Sequence, residues 1–520
     1  MRKLWVVSLG FSLTLMACTK RQPTQPARQD EPVKPAKRDE PVQPVKPVAQ
    51  EALYEGKPLK AWIGGLHDAD PKVRRRAAEV LGTSGQEAAI APLVEKLKDS
   101  DAMVRYYAAD ALGRFGPKAK AAVPALTGMV NGPDEAVRKS AMAALQHVGP
   151  DATTAGPALV QALKDRDLDI RAAAAEALSR VNPDPRTAAG PLIEALKDKS
   201  PVNGAVRRFA AEALGNIGSA AKDGLPALIG VLDDTNPEVR QQAVLALGRI
   251  GPKDRTVLAA LGKALRDDNG EVHDKAVQVL VGIGRPAVPT LVKAVKDDSA
   301  AVSLRAIDAL AKLGPRAERA VPALSAALKH KNALIRTKSV AALGRIGKKA
   351  DTLVPGLIEA LQDRDEEVRH FAADALGGIG PEAGAAVPTL LEALHDKDAA
   401  VLQKAAAALA RIDPGAKQVL PILTKAVKDP NADIRKQAVV ALGRFGKAAV
   451  PALKEALQDL DSADVLQEAA AALGRVGPDA RPAWNDLLAL LKDDNESVRQ
   501  AGAEALKRID KKAAAAAGVK

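Results

Sequence analysis

Aromatic residues make up only 2% of this 520-residue chain, which also holds one cysteine and six histidines. So few rings argue against a β-sandwich or barrel, whose strands lean on aromatic and β-branched packing. They also remove the stacking platforms that single-stranded nucleic acids use. The sole cysteine, Cys18, excludes intrachain disulfides and thiolate metal clusters. Excess charge of one sign is small: 76 basic against 64 acidic residues leave +12. Arg2 and Lys3 account for part of that excess, and both signs interleave elsewhere, so no nucleic-acid patch is expected. There is no phosphate-cradling glycine loop, Ser/His/Asp order or nucleophilic cysteine in the body of the chain. No catalytic residue, metal site or cofactor is expected.

The N-terminus reads as an address. Arg2 and Lys3 precede an apolar stretch, Leu4 to Leu15, too short to span a bilayer stably. Leu15-Met16-Ala17-Cys18 then resembles a bacterial lipobox, cut before a cysteine that becomes lipid-modified. An ordinary secretory signal with an incidental cysteine is the alternative. Thr19 is not the aspartate that holds many such lipoproteins at the inner membrane. The resemblance therefore implies a lipid-anchored envelope protein, at the outer membrane or facing the periplasm, that touches membrane through its anchor only. Residues 18–52 form a Pro-, Lys- and Gln-rich linker with the near-duplicates Asp30-Glu31-Pro32-Val33 and Asp39-Glu40-Pro41-Val42. Frequent proline forbids regular helix or sheet there. The expected organisation is a signal at 1–17, a tethered linker at 18–52 and a repeat body at 53–520.

What the chain has in abundance is itself, repeated. A Val or Ile landmark recurs at Val73, Val104, Val137, Ile170, Val206, Val239, Val272, Val302, Ile335, Val368, Val401, Ile434, Val465 and Val498, usually 33 residues apart. In each unit a proline opens a first helix, a short turn follows, and Asp or Asn caps a second helix. Val368, Ala372, Ala375, Leu376 and Ile379 mark that second helix's apolar face. Twelve residues past the landmark stands glycine, or in three units Asn182, Asp413 or Asp510. All three types tolerate the left-handed backbone that closes a helix. A lone hairpin cannot bury its apolar stripe, so about fourteen must stack into an all-α, right-handed solenoid.

The stretches Asp99 to Pro117 and Asp363 to Pro381, of the form Asp-x-Asp-x-x-Val-Arg-x-x-Ala-Ala-x-Ala-Leu-Gly, resemble the short HEAT-like repeats of phycobilisome-lyase type. In such repeats the turn aspartate and the arginine after the landmark form a ladder between units. The resemblance implies that role for Asp68, Arg74, Asp99, Arg105, Asp165, Arg171, Asp234, Arg240, Asp363, Arg369, Asp429, Arg435, Asp493 and Arg499. His273, Ser303, His330, Leu402 and Leu466 interrupt it. Two enzyme classes share the resemblance: bilin lyases, and di-iron hydroxylases resembling deoxyhypusine hydroxylase. The second needs repeated His-Glu pairs. None of the six histidines precedes a glutamate or lies within four residues of another.

A monomeric, non-enzymatic scaffold or adaptor is therefore the expectation, with a protein partner of unknown identity. In such solenoids the second helices line the concave face. Two and three residues past the landmark, Tyr106, Tyr107, Arg208, Phe209, His370 and Phe371 are expected to point away from the core as interface anchors. Ten residues past it, a cation column includes Arg411, Arg444 and Arg475. Offsetting the helix macrodipole explains that column, with an acidic partner as the alternative.

Overall fold

Leu53–Lys520 forms one compact unit in the computed structural model, which describes residues 52–199, 204–347, 350–413, 417, 419–459 and 461–519. The signal, Cys18, the linker up to residue 51 and Asn203 lie outside the described residues.

The fourteen landmarks sit in fourteen second helices, from Pro71–Thr83 to Glu496–Ile509, each preceded by a first helix. Side chains of Asp, Asn or Ser cap twelve of the fourteen, as where Asp101 accepts from the Val104 amide and Asn236 from that of Glu238. Gly204 and Ser299 are the exceptions. Prolines fall in the first turn of first helices such as Val123–Met129 and Val450–Ala456, where the missing N–H has no partner to lose. Leucine, valine and alanine of successive hairpins merge into one continuous core.

Both ends are capped. A two-stranded antiparallel hairpin, Leu53–Tyr54 with Lys57–Pro58, folds beside the first helix. The Trp62 indole donates to the Tyr54 carbonyl at 2.7 Å, and Lys57 lies 5.0 Å over its ring. At the other end Asp510 caps a short helix, Lys511–Ala516.

The stop positions correct the sequence expectation. Ten glycines and Asn182 have positive φ there, but Gly251, Asp413 and Asp510 keep φ of −131°, −121° and −154°. The aspartates therefore do not close their helices in the left-handed region. Most of the glycines are not in the left-handed helical well either. Gly380 has φ 78°, ψ −143°, a region only glycine enters readily, whereas Gly347 (φ 60°, ψ 12°) and Asn182 (φ 50°, ψ 64°) are left-handed. Gly380→Asn is therefore expected to cost about 1–3 kcal/mol. Gly347→Asn should be nearly neutral, and denaturant melts of the two variants check this contrast.

Candidate functional site

The second helices pack directly on one another, more closely than the first helices do. Small residues permit it. Nine positions past the landmark, a Cβ on Gly82 would stand 2.7 Å from the Ala111 Cα of the next unit. One on Gly377 would stand 2.9 Å from the Ala408 Cα, and one on Gly474 3.0 Å from that of Ala505. The tighter layer is the geometry of an inner face.

Along the turn edge runs the ladder, and its register is now specific. In a complete rung the arginine donates through Nη1 to carbonyls of its own turn and through Nε, mostly with Nη2, to the aspartate of the following unit. Arg74 takes the Asp68 and Ala69 carbonyls at 2.9 Å and grips Asp99 at 2.8–2.9 Å. Arg171–Asp198, Arg207–Asp234, Arg240–Asp267, Arg336–Asp363, Arg369–Asp396 and Arg435–Asp459 repeat the rung at 2.5–2.9 Å. Arg336 and Arg369 are only 4% and 7% exposed, so these are shielded, two-pronged contacts. Burial by itself would raise the Asp396 carboxyl. The Arg369 hydrogen bonds and the Asp398 amide outweigh it and hold that carboxyl below the usual range. Asp99, Asp234, Asp267 and Asp363 are lowered by the same balance.

The register corrects several assignments. Within one unit, Asp68 and Arg74 meet through the main-chain carbonyl. The Asp68 carboxylate accepts instead from the Asp70 amide at 2.8 Å. Among the described residues Arg105 and Arg499 bond only turn carbonyls; for Arg105 the next unit offers Gly132 where an aspartate would stand. Asp165 lies 3.6 Å from Arg138, a longer contact. Asp429 and Asp493 face units with Leu402 and Leu466, and they accept from the Asn431 and Asn495 amides. Sequence spacing missed Asp198, the partner of the expected ladder residue Arg171, because the insertion places it eight residues before its landmark.

The interruptions keep the local half of the ladder. His273 Nδ1 lies 3.2 Å from the Asp267 carbonyl, Ser303 donates to the Asp297 carbonyl at 3.1 Å, and His330 Nδ1 accepts from the Asn332 amide at 3.0 Å. Arg266 takes over the Asp297 carboxylate from the preceding turn. Turn carbonyls thus stay satisfied in units seven and eight and Arg266 links those two units, while among the described residues no arginine–aspartate rung joins units eight and nine.

The expected interface anchors are half-buried rather than outward-pointing. Tyr107, Phe209 and Phe371, three past the landmark, pack against the core, which corrects the expectation that they face away from it. At that position the helix has turned toward its neighbour, and the groove between units accepts the ring. Their preceding neighbours lie beside them: Tyr106 is edge-on to Tyr107 at 5.2 Å, Arg208 lies 4.2 Å over Phe209, and His370 is 5.1 Å from Phe371. Arg208 also pairs with Glu238 of the next unit at 3.1 Å. In the cation column Arg475 pairs with Glu468 at 2.7 Å, while Arg411 and Arg444 are exposed. Among the described residues, no group of three His, Cys, Asp or Glu side chains is placed to hold a metal ion, and no helix is long and apolar enough to cross a membrane.

Comparison with known proteins identifies what this architecture resembles. No curated protein matches the chain. Among solved structures, Kap121p bound to Ste12p aligns over 87% of this chain and 56% of its own, at 17% identity and a TM-score of 0.52. Kap121p bound to Nup53p aligns over the same shares at 16% identity and 0.52. Importin beta in an ammonium sulfate condition aligns over 87% and 72% at 16% identity and 0.42. This chain thus spans little more than half the length of Kap121p, and at these identities the likeness concerns the fold alone. The PBS lyase HEAT-like repeat model matches residues 434–459. The model for HEAT repeats matches 59–146, 127–203, 189–280, 258–344, 354–442 and 450–517, so the chain belongs to the HEAT repeat proteins.

Proposed function

We propose that the chain is a non-enzymatic scaffold or adaptor that a lipidated Cys18 displays from a bacterial envelope membrane. The observation that carries the reading is the stack itself. Its recurrent charges serve its own turns and neighbours, and half-buried irregular groups such as Tyr106, Arg208 and His370 remain to vary along the inner layer. An extended solenoid surface of this kind suits recognition of another protein more than enclosure of a small substrate. Kap121p, which has the same fold, is solved with Ste12p and with Nup53p, and this supports a protein partner for the present chain. The Pro-rich linker would hold the body away from the lipid surface.

Two measurements test the reading. Cys18→Ser is expected to abolish incorporation of labelled palmitate and to move the protein from the membrane to the soluble fraction. Cross-linking in intact envelopes is expected to give a discrete protein adduct that Tyr106→Ala together with His370→Ala weakens without lowering the melting temperature. Retention of the Cys18→Ser protein on membranes would sink the anchor. Stoichiometric iron with turnover, or bilin transfer by the purified chain, would replace the scaffold with one of the enzyme classes.

A further inference from the structure

The connections between units form the edge opposite the Asp-rich turns, at the C-terminal ends of the second helices. At three connections on this edge a cation meets an acid from an adjoining unit: Lys118 with Glu87 at 3.0 Å, Lys447 with Asp479 at 3.8 Å, Arg481 with Asp510 at 3.2 Å. The connections after units seven and eight are different. Arg285, Arg316 and Arg319 converge there with Pro286, Pro315 and Glu318 around an open hollow of about 420 Å³. Arg316 reaches back over unit seven, and its Nη1 stands 3.8 Å from the place a Cβ on Gly284 would occupy, next to Arg285 in the chain. All three arginines are exposed, and none has an ion-pair partner among the described residues. The carboxylate in the hollow, Glu318, is already engaged. The exposed Lys253, Arg255, Lys312 and Arg345 lie on the same edge in units six to nine.

Three guanidinium groups crowded into one hollow repel one another, and an incoming carboxylate relieves that repulsion while gaining two-pronged hydrogen bonds. We propose that this hollow is the docking site for an acidic segment of a protein partner. Two features favour a peptide over a phosphate polymer. The proline rings offer an apolar floor for a side chain between the acids. Asp254 and Glu318 also interrupt the basic edge, which a continuous polyanion would have to cross. The proposal gives a partner chemistry to the scaffold reading and rests on it.

The test is fluorescence anisotropy of the detergent-solubilised full chain with a labelled glutamate-rich peptide carrying leucine spacers, at low salt. Saturable binding is expected. The combined Arg285→Gln, Arg316→Gln and Arg319→Gln substitutions should weaken it on the order of tenfold or more, because charge-assisted contacts are lost from a single cluster. Lys118→Gln with Arg481→Gln, cations on the same edge that are already paired, should leave it within about twofold. Glu318→Gln should tighten it, and this gain decides the matter if the triple variant melts abnormally. Absence of saturable binding, equal loss in the two arginine and lysine sets, or tighter binding of inorganic polyphosphate at the same site would each overturn the proposal. Envelope cross-links that persist while the peptide fails to bind would overturn this site and leave the scaffold standing.

Discussion

Arg369→Met lowers the stability of the repeat body by about 2–4 kcal/mol, because it strands a shielded carboxylate and a turn carbonyl together. Arg369 and Asp396 are 9% and 10% exposed at their side chains, with Nε and Nη2 on the carboxylate at 2.6 and 2.8 Å and Nη1 on the Asp363 carbonyl at 2.8 Å. Methionine fills much of the same volume but donates nothing. The chain supplies its own comparison at Leu402, where the landmark arginine is absent and Asp429 relies on a backbone amide. Arg76→Met should leave stability nearly unchanged, since that guanidinium is half exposed and its ion pairs are screened by solvent. The pH dependence follows from the same rungs. Five ladder aspartates have carboxyls held below their ordinary value of 3.8. The native state thus binds fewer protons than the unfolded chain near that value. The associated stability is full above it and disappears as the pH falls through the lowered native values. Circular dichroism melts between neutral and acid pH should show loss of stability beginning near pH 4, and less of it in Arg369→Met. A melting temperature unchanged by that substitution would refute the role assigned to the rung.

Two adjacent glycines provide the second large effect, with opposite signs. Glycine inside a helix ordinarily costs about 1 kcal/mol relative to alanine. Gly378→Ala should recover about 0.5–1 kcal/mol, since nothing stands within 4 Å of its new Cβ. Gly377→Ala should instead destabilise by about 1–3 kcal/mol. Its Cβ would meet the Ala408 Cα at 2.9 Å and Cβ at 3.1 Å, so the backbones of two second helices must separate. Because both positions share the helix Glu366–Ile379, propensity cannot account for the difference. Paired denaturant titrations decide it, and a gain at both sites would show that the layer can open without cost.

These cases show where the sequence speaks clearly. The spacing of Val and Ile landmarks marks fourteen hairpins, because a period in one dimension becomes a stack in three. Asp70, Asp101 and Asn236 are legible as caps, since a cap acts on amides two or three residues away. Contacts between units are less legible. Arg74 and Asp68 share a unit in the sequence, yet the rung joins Arg74 to Asp99, a choice set by the offset between neighbouring hairpins. Asp198 and Asp459 occupy ladder positions at altered spacing, which only the folded turns bring into register. Tyr107 and Phe371 look like surface aromatics on a helical wheel, yet in the stack they are half-buried and packed against the core. The Arg285 and Arg316 hollow combines two connections that carry no shared motif, so no repeat pattern could announce it.

The rung also has a direction, with each arginine serving its own turn and reaching forward to the next aspartate. A tandem duplication of a 33-residue unit that carries both groups, such as that of Asp363 and Arg369, would therefore arrive with both halves of the contact. Its aspartate meets the arginine behind it, its arginine meets the aspartate ahead, and no charge is orphaned at either seam. Deleting a unit closes up in the same way. The array can thus change length by whole units at almost constant local stability, and lineages carrying such a gene are free to adjust the reach of the protein without redesigning its interior.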